Sequence, residues 1–120
     1  ARDNGDKSNN YDKELISKLS NFKSKGVNEM VLDLRYNSGG AVSSAIALAS
    51  ALVKNRSTKN VLTTSQYNAI VHNSLIKEYG ANYDKDYFID KVIDTSVPIP
   101  ELNLPRLYVR AGLHLPASLL

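Results

Sequence analysis

The chain has 120 residues, 42% of them apolar and 22% charged, with no cysteine, 6 glycines and 4 prolines. This composition suits one packed domain, or part of a larger one, and is neither disordered nor fibrous; it also excludes disulfides, thiolate metal centres and cysteine nucleophiles. The net charge of +3 arises from 15 Lys and Arg dispersed among 12 Asp and Glu, and without clustered cations nucleic acid is not an expected partner.

The first ten residues are polar and read as a loop that feeds a helix over residues 11 to 25. Tyr11, Leu15, Ile16, Leu19 and Phe22 recur at helical spacing, Asn9 or Asn10 can cap the start, and Gly26 follows Lys23 and Lys25 at the stop. Asp12 and Glu14 fall where the positive end of the helix favours acids. Met30, Val31, Leu32 and Leu34 form a short apolar run suited to a buried strand over 29 to 34. The sequence Asn37-Ser38-Gly39-Gly40 then makes a turn, and a helix is expected over 41 to 54, where alanines and serines on one side would let its backbone approach a sheet.

A strand over 60 to 65 completes the order strand, helix, strand, which predicts a right-handed parallel βαβ unit across 29 to 65. A second helical face joins Leu75, Ile76 and Tyr79 between His72 and Gly80. Residues 81 to 95 fit either a strand or a covering segment, the three prolines between Ser96 and Pro105 impose extended or turned chain, and Leu107 to Val109 reads as a further buried strand. No run approaches the roughly 18 apolar residues of a membrane span. The tail from Arg110 to Leu120 is mostly apolar and lacks the polar ending usual for a soluble domain, so the chain is expected to have been cut or altered there.

Chemistry is concentrated at Asp33-Leu34-Arg35-Tyr36-Asn37-Ser38-Gly39-Gly40. Backbone amides freed by two glycines at a helix start can hold an anion or a developing oxyanion, although the same residues would serve as a plain strand-to-helix connection. Neither a GxGxxG nor a P-loop pattern is present. Asp33, expected within a buried strand, shares a face with Arg35, so an ion pair supporting the turn is expected. His72 and His114 are far apart in sequence, and Glu14, Glu29, Glu78 and Glu101 are scattered, so neither a zinc site nor a glycosidase carboxylate pair is indicated. Tyr67, Tyr79, Tyr83 and Tyr87 could line a groove or cover a core.

The run VNEMVLDLRYNSGGAVSSAIALASALV resembles the C-terminal processing, or tail-specific, serine peptidase family, whose core carries D-L-R-x-N-x-G-G before a helix. Asp33, Leu34, Arg35, Asn37, Gly39 and Gly40 fit that pattern, and PRLYV at 105 to 109 is similar to the strand that leads to the family's catalytic serine. The resemblance implies an α/β, crotonase/Clp-protease-like layered fold with a parallel βαβ core, here as an incomplete catalytic domain spanning 1 to 120 with an atypical tail from 110 to 120. It further implies a serine endopeptidase with a Ser/Lys mechanism, backbone oxyanion donors at Gly39 or Gly40, and Asp33, Arg35 and Asn37 holding the turn.

The resemblance fails at the nucleophile. Alignment of Ala117-Ser118 with the family's serine segment puts Pro116 in the nucleophile slot and Leu119 in place of a glutamate. Ser118 is the one weak candidate, no general-base lysine follows it, and the chain itself is expected to be inactive. The alternatives are a non-catalytic protein-binding or assembly domain on the same scaffold and, with little support, crotonase-like acyl-CoA chemistry. The resemblance implies polypeptide substrates for the intact parent, no cofactor or metal, and an extracytoplasmic setting such as a periplasm or cell envelope; an incomplete domain could also self-associate.

Overall fold

The elements run α1 (Asn10–Ser24), β1 (Glu29–Asp33), α2 (Val42–Leu52), β2 (Val61–Thr64), α3 (Ala69–Tyr79), β3 (Lys85–Tyr87) and β4 (Arg106–Arg110). They come from a computed structural model that describes residues 9–111. The tail beyond Ala111, with His114, Pro116 and Ser118, lies outside the described residues.

Helix α1 ends as its sequence dictates. Gly26 takes φ +70°, its amide reaches the Lys23 carbonyl, and the Val27 amide reaches Phe22 O at 3.2 Å, which together form a Schellman closure. The start departs from expectation. Asn9 adopts the left-handed region and its side chain makes no cap; its Nδ2 instead donates to Ile93 O at 3.0 Å. The buried face is also rotated from the expected one. Ile16 and Leu19 are buried, Tyr11 and Phe22 are largely exposed, and Asp12 is only 2% exposed, because its carboxylate meets a hydroxyl of α2.

Helix α2 supplies the small surface on which the core is built. Ala47, Ser50 and Ala51 are buried and allow close approach, but what approaches is α1 and the irregular segment between β3 and β4, not a sheet. That segment contributes Val92, Ile99, Leu102 and Leu104, half of the buried apolar core among the described residues. Its prolines do not keep it outside. A bridge between Lys91 and Pro98 and the bonds Val92 N to Val97 O and Ile99 N to Asp90 O fold residues 90–99 into a turn, and Val92 and Ile99 from it join Leu102 and Leu104 in the cluster that holds Ala47 and Ala51.

The strand pairing corrects the sequence expectation. β1 is parallel to β4, with Glu29 opposite Arg106 and Asp33 opposite Arg110, while β2 pairs antiparallel with β3 in a separate two-stranded sheet. The predicted βαβ unit across 29 to 65 is therefore absent; the parallel partner comes after a crossover that includes α2, β2, α3 and β3. The composition of β2 explains this. Two apolar residues followed by Thr63 and Thr64 suit a half-solvated antiparallel ribbon, whereas central parallel strands are nearly continuous apolar runs. Nor are β1 and β4 buried as expected: β1 alternates between exposed and half-buried, and β4 is exposed throughout. Tyr79 of α3, expected on an apolar face, is likewise exposed.

Close packing at α2 generates a contrast that can be measured. Ala51→Leu, at a site with 0% exposure, is expected to destabilise the chain by about 1–3 kcal/mol through overpacking. Ala45→Leu, on the exposed side of the same helix, should stay within about 0.5 kcal/mol of the parent. Equal midpoints for the two variants in denaturant unfolding would contradict this packing.

Candidate functional site

Pairing with β4 carries the chain of β1 into the turn, since Leu34 N continues the ladder to Arg110 O at 2.7 Å. Asn37 N then closes on Leu34 O at 3.2 Å, with the exposed Tyr36 between them at φ +63°. The expected ion pair is present. Arg35 Nη2 lies 2.7 Å from Asp33 Oδ2, Arg35 Nε donates to Oδ1 at 3.0 Å, and the Arg35 backbone amide reaches the same oxygen. The hydrogen bonds from Arg35 hold the Asp33 carboxyl below its ordinary value, and the carboxylate raises the guanidinium in return. Both side chains are solvent-exposed, contrary to the expectation of a buried Asp33, so the pair shapes the turn more than it stabilises the fold.

The two glycines behave differently. Asn37 Oδ1 accepts from Gly39 N at 2.9 Å, and this side-chain turn holds Gly39 at φ +133°, a region that disfavours any Cβ. Gly40 takes no positive φ, and among the described residues no acceptor meets its amide. Helix α2 begins two residues later, at Val42, with Ala41 as an N-cap that has no side chain able to satisfy the open amides, and its first turn holds no acid. The outcome is an exposed, uncapped helix start with its positive end unopposed by its own side chains.

Beside this turn lies a cavity of about 730 Å³ with a mostly aliphatic wall that includes Leu15, Leu34, Leu48 and Leu52, together with Gly39 and Gly40. Ser44 also reaches it. Its Oγ donates to the buried Asp12 Oδ1 at 2.5 Å, tying α1 to the first turn of α2. Asp12 Oδ2 and Asn9 Oδ1 are buried and find no partner among the described residues. Sequence reasoning missed this contact because Asp12 has the ordinary placing of a helix-start acid, and nothing local links it to a serine 32 residues on.

A second cluster was also missed. His72 Nδ1 and Tyr83 Oη are 2.6 Å apart, and Tyr83 packs against Tyr67 with ring centroids 5.9 Å apart. The sequence offers His72 only as an isolated imidazole and the tyrosines only as irregularly spaced; the turn after Gly80 is what folds them together. Among the described residues no group of three or more His, Asp or Glu side chains could hold a metal ion, and no helix is long and apolar enough to cross a membrane.

Two measurements follow from the turn. Gly39→Ala is expected to cost about 1–3 kcal/mol by forcing a Cβ into a disfavoured backbone region, whereas Gly40→Ala, with nothing within 4 Å of an added Cβ, should leave the denaturation midpoint nearly unchanged. Because the Asp33 carboxyl is depressed on folding, its ion pair contributes at neutral pH and is lost as pH falls through the folded value. In a carboxyl-detected NMR titration, Arg35→Ala should move the Asp33 midpoint upward; an unmoved midpoint would exclude the pair in solution.

Comparison with curated proteins and with solved structures gives no significant match. The family model described as Peptidase family S41 matches residues 5–98, a stretch that includes α1, β1, the glycine turn, α2, β2, α3 and β3 and stops short of β4. With most of its length matched, and with the D-L-R-x-N-x-G-G turn inside the match, the chain belongs to Peptidase family S41.

Proposed function

We propose that this chain carries the oxyanion-binding part of a serine endopeptidase of the C-terminal processing type, built on a crotonase/Clp-protease-like layered fold. The observation that carries the proposal is the Gly40 amide, which meets no acceptor among the described residues beside the uncapped start of α2, while the Gly39 amide is engaged by Asn37. In acyl transfer a serine oxygen attacks the peptide carbonyl carbon, and the carbonyl π electrons move onto oxygen. A preorganised backbone N–H aimed at that oxygen contributes about 10²–10³ in rate. Gly40 is assigned this donor role; Gly39, Asn37, Arg35 and Asp33 are assigned the positioning of the turn that presents it. The hydroxyl proton passes to a lysine base and then to the leaving amine, as expected of a Ser/Lys mechanism.

The parallel β1–β4 pair supports the layered fold, because it brings the strand preceding the expected serine segment beside the strand that leads into the glycine turn. The aliphatic cavity beside Gly40 fits an apolar side chain of an extended polypeptide. No cofactor is required by this chemistry. An extracytoplasmic setting rests on the family resemblance.

With Pro116 in the nucleophile slot, the 120-residue chain is proposed to be inactive by itself. Incubation with a serine-directed fluorophosphonate and an unfolded protein substrate is expected to give neither labelling nor cleavage. Labelling of Ser118 or Ser44 together with cleavage would overturn the proposed inactivity. Absence of labelling even in an extended polypeptide bearing a serine and a downstream lysine would favour the non-catalytic binding domain.

A further inference from the structure

We propose that the cavity between the β2–α3 loop and the turn before β3 binds an arginine side chain of a polypeptide. The cavity, of about 380 Å³, is lined by Thr64, Ser65, Gln66 and Tyr67 from the end of β2 and its loop, by Ala69 and His72 of α3, and by Asp84. It shares no lining residue with the cavity at the glycine turn. That the arginine belongs to a polypeptide rests on the serine peptidase reading; the cation chemistry does not.

The walls are held from three directions. Ser65 N donates to Asp84 O at 2.7 Å and ties the loop to the opposite turn. Asn68 Oδ1 accepts from Val71 N at 2.9 Å and fixes the start of α3. The 2.6 Å contact between His72 Nδ1 and Tyr83 Oη ties that helix to the same turn, and Gly80 at φ +97° lets the chain reverse to bring Tyr83 back. A guest therefore meets a formed site and need not order these segments, which removes a large part of the usual cost of binding.

The chemistry of the walls selects a cation. Asp84 is the only acidic residue among those lining the cavity, and no lysine or arginine lines it. Tyr67 and Tyr83 stand 35° apart, and Tyr67 is half exposed, so aromatic surface lies open to solvent beside the carboxylate. Desolvation raises the Tyr83 hydroxyl above its ordinary value, with the Asp84 carboxylate acting in the same direction, so the phenol beside the cavity is held in its neutral form. Among the described residues Asp84 pairs with its chain neighbour Lys85 at 3.3 Å; the ammonium is the more exposed partner and, on a flexible stem, can move aside while a guest cation takes its place.

Arginine fits better than lysine on three grounds. Its guanidinium is planar and can stack on a tyrosine face, its forked donors match a carboxylate, and it is less strongly hydrated than an ammonium. An anion is disfavoured by Asp84, and the space suits one side chain rather than a folded partner.

The test is an amide-detected NMR titration of the full chain with blocked Ala-Arg-Ala, its citrulline and lysine counterparts, and blocked arginine alone. Saturable shifts confined to 64–69, His72 and 83–85, with residues 37–41 unmoved, are expected. Citrulline, which keeps the shape and loses the charge, should bind at least about tenfold more weakly, a difference of about 1.4 kcal/mol. Asp84→Asn and Tyr67→Ala should each weaken binding; Tyr67 is exposed enough that its variant keeps the test valid if the first fails to fold. Equal binding of citrulline, unchanged affinity in the folded variants, or no saturable shift at millimolar peptide would overturn the site. Tighter binding of the lysine peptide would overturn the choice of arginine, and blocked arginine binding as tightly as the tripeptide would overturn the polypeptide source. These readouts involve no hydrolysis, so failure of the serine peptidase reading registers separately, in the fluorophosphonate assay.

Discussion

The carbonyl groups near the carboxyl end of α2 find their partners well outside that helix, and the rest of the fold follows from how they are met. Arg56 Nη1 donates to Ser50 O at 2.9 Å while its Nη2 donates to Ile99 O at 3.0 Å, and Leu102 N reaches Ala51 O at 3.2 Å. Ser50 Oγ meanwhile accepts from Ile89 N. A hydrogen bond from a charged donor contributes about 1.5–3 kcal/mol, and a buried acceptor left unmatched costs about 1–3 kcal/mol. These bonds draw the segment from Ile89 to Leu104 over the alanine face and so assemble the core. They also fix α2 at one end, and Asp12 with Ser44 fixes it at the other. The helix that follows the glycine turn is thus held at both ends.

Much of this was legible in the sequence where the signal is local. The Schellman closure at Gly26 follows from a glycine after a lysine-bearing last turn, and α2 and β1 follow from their periodicity and from the glycine turn between them. The Asp33–Arg35 pair follows from two-residue spacing, and the family membership from a contiguous run of residues. The strand partner was not legible, because a strand-helix-strand order predicts parallel pairing only if the next strand is apolar enough to be central. Thr63 and Thr64 carried that information and favoured a solvated ribbon.

Most of the remaining gaps share one cause, the joining of residues distant in sequence. Asn9 and Asp12 have the identities of a helix cap and a first-turn acid, yet both side chains serve other segments. The proline-bearing segment had no period to read, yet Val92, Ile99, Leu102 and Leu104 are buried in one cluster with Ala47 and Ala51 of α2. Which glycine offers its amide was hidden for a local reason instead. The sequence leaves Gly39 and Gly40 equivalent, and only the reach of the Asn37 side chain separates them.

The β1–β4 pairing has a kinetic side. Its strands are separated by most of the chain, whereas α1 and α2 meet across a short connection. Loop-closure entropy rises with the length of chain enclosed, and contacts of high sequence separation slow folding. The α1–α2 contact can therefore form early, whereas Val92, Ile99, Leu102 and Leu104 arrive with the chain that leads into β4. Leu34 gains its bond to Arg110 only when β4 returns, so the strand leading into the glycine turn becomes fixed in the same late step that completes the core around α2.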